Sequence, residues 1–79
     1  MTDYTSLTSD ELASIETAVG LIYLAERVIG NGNIQTADDI LGLAEETLEY
    51  IPGQYVKKVR SMITGWMMWI YQRKTQKGD

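Results

Sequence analysis

Apolar positions along this chain recur at three- and four-residue intervals in three blocks, and each block is bounded by residues that start or stop helices. In the first block Leu12, Ile15, Val19, Ile22 and Ile29 form a stripe that Ala18, Leu21, Ala25 and Val28 widen. Thr8-Ser9-Asp10-Glu11 precedes it in the order of a capping box: the Thr8 hydroxyl accepts from the Glu11 N–H, and the Glu11 carboxylate accepts from the Thr8 N–H. Leu7 and Leu12 stand at the two ends of a hydrophobic staple. Gly30-Asn31-Gly32-Asn33 closes the block, because glycine and asparagine take the left-handed conformation at least steric cost. The spacing predicts a helix over about 9–29.

The second block places Ala37, Ile40, Leu41, Ala44, Leu48 and Ile51 on one face. Thr36 is the expected N-cap, with Asp38 and Asp39 in the first turn, where the positive end of the helix dipole favours carboxylates. Asp38, Glu45, Glu46 and Glu49, joined by Asp39, project from the opposite side. Pro52-Gly53 ends this helix at about 51, since proline disfavours helical backbone in Ile51.

A third helix is predicted over about 54–74. Val56, Val59, Ile63, Trp66 and Ile70 make a narrow stripe, Tyr55, Met62, Met67 and Trp69 its margins, and Lys57, Arg60, Ser61 and Thr64 the face pointing away. No strand-period alternation or internal repeat interrupts this pattern. Three helices with short connections imply an all-α protein, a small antiparallel three-helix bundle in a single domain over 1–79, with residues 1–7 and 75–79 expected to be mobile.

The anomaly lies in the third block. Trp66-Met67-Met68-Trp69-Ile70-Tyr71 is an unbroken run of large side chains, and at about 100° per residue Met68 falls nearly opposite the stripe and Tyr71 well off it. A helix polar on its far side in the first half becomes apolar there in the second. One reading makes the run core, with Met68 an isolated surface hydrophobe. The preferred reading packs the helix on two sides, by its own bundle and by a second copy of the chain or another protein, through Gly65, Met67, Met68, Trp69 and Tyr71, since Trp, Tyr and Met suit interface centres. A third reading is a membrane-surface anchor of Trp66, Trp69 and Tyr71 flanked by Arg60, Arg73 and Lys74, disfavoured by an acidic first half that anionic lipid repels. Gly65 precedes the run in mid-helix, and with Gly20 and Gly42 it suggests close backbone packing, because each costs about 1 kcal/mol relative to alanine.

Composition narrows the function classes. The chain has 79 residues, and at that size a domain buries only roughly 60% of the surface its unfolded form exposes, so association would add coverage that its own core lacks. Neither cysteine nor histidine occurs, which removes disulfides and the usual ligands for zinc, haem and copper; no cofactor or dedicated metal site is expected, and no EF-hand loop gathers carboxylates for calcium. No Cys–His or Ser–His pairing and no glycine-rich phosphate loop is available, and nothing on an exposed helical face differentiates one carboxylate for acid work, so catalysis is not expected. The first residues lack the basic-then-apolar order of a secretory signal, and no apolar run approaches the roughly 20 residues of a membrane span, which makes a cytoplasmic setting the expectation.

The net charge of −4 conceals a division: residues 1–51 hold ten acids against Arg27 alone, while residues 52–79 hold six bases against Asp79 alone. The acidic face of Asp38, Asp39, Glu45, Glu46 and Glu49 reads first as a solvated surface, and alternatively as an imitation of a nucleic-acid backbone that blocks a DNA-binding or defence protein. Direct nucleic-acid binding is disfavoured by those acids, although residues 48–62 loosely fit a helix-turn-helix with Gln54, Lys57 and Lys58 opening its second helix. The sequence therefore points to a non-enzymatic, acidic, homo-oligomeric helical module, a regulator or inhibitor of the kind phages and plasmids encode, acting on another protein.

Overall fold

The computed structural model describes residues 7–77. Three α-helices, α1 (Ser9–Gly30), α2 (Ile34–Thr47) and α3 (Gly53–Lys77), surround one apolar core, with no strand among the described residues. The expected mobile ends lie partly outside those residues. Within them, Leu7 is buried and α3 continues helically through 75–77.

The capping box forms as the sequence predicts. The Glu11 N–H donates to Thr8 Oγ1 at 3.1 Å and the Thr8 N–H to Glu11 Oε1 at 2.9 Å, so two donors that α1 cannot satisfy internally are paired. Leu7 packs into the core while Leu12, the other end of the expected staple, stays 38% exposed. At the far end Gly32 adopts φ +83°, its N–H donates to the Ile29 carbonyl, and the Asn33 N–H reaches back to Val28, both at 2.9 Å. That pair of bonds is a Schellman closure, and glycine accepts its left-handed residue without a Cβ penalty.

The cap of α2 differs from expectation. Asn33, not Thr36, is the N-cap, its side chain accepting from the Thr36 N–H at 3.4 Å. One residue therefore closes α1 through its N–H and opens α2 through its side chain, which shortens the connection and starts α2 three residues earlier. Asp38 and Asp39 consequently fall beyond the first turn, which holds no acid. The C-terminus differs too. Helix α2 ends at Thr47, because Leu48, Glu49 and Ile51 donate to carbonyls three residues back and tighten the chain into turns before Pro52. Leu48 and Ile51 are still buried, so the proline constraint acts on a segment that has already left the helix.

The core is built on alternating three- and four-residue steps: Ile15, Ala18, Ile22, Ala25 and Ile29 on α1; Ala37, Leu41, Ala44, Leu48 and Ile51 along and beyond α2; Val56, Val59, Ile63, Trp66 and Ile70 on α3. This is the spacing by which helices pack side by side at shallow angles. It corrects the expected α1 stripe, since the fully buried Ala18 and Ala25 occupy its centre and Val19 its margin. Alanines on both α1 and α2 let those two backbones approach most closely, whereas α3, with larger side chains inward, stands further from each. The glycines do not mark close packing inside the chain: a Cβ added at Gly20, Gly42 or Gly65 would meet nothing within 4 Å.

Candidate functional site

The second half of α3 divides its large side chains between two flanks and an outer face. Ile70 is fully buried and Trp66, Met67 and Trp69 are half-buried against the core. On the flank toward α1, the Trp66 indole donates to Glu26 Oε2 at 3.1 Å, giving the buried N–H a charged acceptor. Trp69 meets Trp66 edge-on, with ring centroids 5.7 Å apart and planes at 77°, and the Arg73 guanidinium lies 4.5 Å from the Trp69 ring centroid. These favourable quadrupole geometries hold Trp69 on this flank.

Met68 and Tyr71 lie on another side, 59% and 71% exposed. With Thr64, Met67 and Gln72 they line a shallow, largely apolar hollow of about 390 Å³. A second hollow continues from Met67 and Tyr71 past Ile70 to the Lys74–Asp38 ion pair. Of the five residues expected at an interface, Met67, Met68 and Tyr71 are thus brought together. Gly65 is exposed on α3 but does not line the hollow, and Trp69 turns away from it, because adjacent helical residues point about 100° apart. Trp69 and Tyr71 likewise do not form one continuous aromatic anchor.

The acidic residues are also divided. Asp38 accepts from Lys74 Nζ at 3.1 Å, and the same ammonium donates to Gln35 Oε1 at 3.0 Å. Asp39 accepts from the Gln35 side-chain amide at 3.2 Å. Glu45, Glu46 and Glu49 share an open cleft of about 250 Å³ with Arg60. Arg60 was expected to face away from the core; instead it is half-buried, and its Nη2 donates to the Leu48 carbonyl at 3.3 Å. The shortened α2 explains this position, because the turn after Thr47 presents the Leu48 carbonyl to α3. A cation placed among three carboxylates lowers their combined field, a pairing that helical projection of α2 alone does not reveal.

Among the described residues no group of carboxylates is arranged to hold a metal ion, and no helix is long and apolar enough to cross a membrane. Comparison with family models, with curated proteins and with solved structures returned no match.

Proposed function

We propose that this chain is a non-enzymatic protein–protein interaction module, an antiparallel three-helix bundle that self-associates through the outer face of α3. The antiparallel arrangement is supported by two tethers: Lys74, late in α3, meets Asp38 early in α2, while Arg60, earlier in α3, meets Leu48 just past the end of α2. The observation that carries the association is the coexistence of Met68 and Tyr71, both more than half exposed, beside Met67 in one apolar hollow. Two large neighbours on a single helical face are a patch, whereas scattered surface hydrophobes need no explanation.

The charges around the hollow favour a neutral contact. Lys74 is paired with Asp38, Arg73 is held over Trp69, and Arg60 is tied to Leu48, so three of the six bases of the second half are engaged within the chain. Size-exclusion chromatography with light scattering tests the reading. The wild type should run as a concentration-dependent dimer at tens of micromolar, and Met68→Glu should return it to monomer by desolvating a carboxylate at the contact. Trp69→Ala should lower the melting temperature without acting on the contact directly. A monomeric wild type, unaltered by Met68→Glu, contradicts the proposal.

A further inference from the structure

The geometry points to an isologous pair in which α3 of one chain lies antiparallel to α3 of a second copy, with Met68 of each seated over Gly65 of the other. This inference rests on the self-association reading and specifies its geometry. It starts from the outer face of α3, where Ser61, Thr64, Gly65, Met68, Tyr71, Gln72 and Thr75 follow one another at helical spacing. All are exposed, and none is charged. The face is graded in size: small residues occupy its first half, and Met68, Tyr71 and Gln72 its second. A graded surface of this kind complements itself only when the second copy is reversed, so that the bulky half of each helix meets the shallow half of the other.

Gly65 supplies the depression. It sits inside α3, a Cβ there would meet nothing within 4 Å, and the chain's own fold therefore gives no packing reason for its missing side chain. A second helix crossing at this point does give one, since glycine lets a partner's side chain reach the backbone. In the reversed register Met68 falls against Gly65 and Thr64 of the second copy, and Ser61 against its Tyr71 and Gln72, which repeats the alternation of layers in antiparallel helical pairs.

Charge selects the same orientation. A parallel pair would set Lys57 and Lys58, both exposed, against their own counterparts, and like charges held together across helices repel. Reversal places Lys58 beside Thr75 of the other copy instead. An acidic partner is a weaker fit, because the face itself carries no cation and the bases around the hollow already have acceptors or an aromatic ring within the chain.

The absence of cysteine from the sequence allows a direct test by disulfide trapping. Ser61→Cys and isotope-labelled Gln72→Cys chains are mixed, oxidised mildly and separated by mass. The expected result is a heterodisulfide in excess of either homodisulfide, with Gly65→Leu shifting the otherwise wild-type protein toward monomer while raising its melting temperature. Homodisulfides that dominate when each variant is oxidised alone would overturn the antiparallel register and leave self-association standing. A Gly65→Leu protein that remains fully dimeric would also overturn the register. Sedimentation of wild type and variants as monomers, without trapping, would overturn both the register and the association on which it rests.

Discussion

Arg60 and Trp66 show how single side chains tie α3 to the rest of the molecule. Arg60 reaches the Leu48 carbonyl, which the turn after α2 leaves without a helical partner, and Trp66 hands its indole proton to Glu26. Replacing Trp66 with Phe keeps much of the ring and removes the donor, so it should cost about 1–3 kcal/mol, the range for losing a hydrogen bond to a charged group. Chemical denaturation of the two proteins measures this; an unchanged midpoint would mean that Glu26 is equally well satisfied by water. Glycine at position 20 makes the opposite prediction. The site is helical, exposed and open around the missing Cβ, so Gly20→Ala should stabilise the protein by about 0.4–1 kcal/mol. Destabilisation in the same assay would reveal a neighbour that the isolated chain lacks. The sequence located the core faces of these residues but misplaced Arg60, because a basic residue next to the exposed stretch of a helical projection reads as solvated until the turn facing it is known.

Helix boundaries were legible wherever the signal lay within a few consecutive residues. Thr8 and Glu11 state their reciprocal bonds in the sequence, and Gly32 its positive φ; both appear in the structure. Thr8→Ala should therefore cost about 0.5–2 kcal/mol through the lost cap of α1, read as a lower melting temperature with little change in helical content. Both ends of α2 were harder to read for a shared reason. Asn33 serves two helices at once, and the segment after Thr47 leaves the helix through bonds three residues back while keeping Leu48 and Ile51 inside. A hydrophobic stripe records burial, and burial continues past the point where helical hydrogen bonding stops. The same distinction explains α1, whose fully buried alanines carry less weight in a hydrophobicity pattern than the larger, half-exposed residues beside them.

For the molecule as a whole, the terminal run of α3 resolves into a covered part and an uncovered part. Trp66, Met67, Trp69 and Ile70 are wholly or partly enclosed by the chain's own helices, and Met68 and Tyr71 stand outside. The expectation that this run exceeds what two sibling helices can cover thus reduces to one face, and it is that face, uncharged and graded from small to large, on which the proposed association rests. The acidic cleft of Glu45, Glu46 and Glu49 belongs to a different side of the molecule's chemistry, moderated by Arg60. Reversing these three residues to lysine should weaken the protein through repulsion with Arg60 but leave the dimer contact in place, as light scattering of the folded variant would show. The measurement that tests the central claim most directly is a dilution series of amide nitrogen–proton spectra from tens of micromolar to micromolar concentration. Self-association through the outer face of α3 predicts concentration-dependent shifts concentrated between residues 61 and 75, absent from Glu45, Glu46 and Glu49 and abolished by Met68→Glu; spectra that do not change with dilution, or that change on the acidic cleft instead, would contradict it.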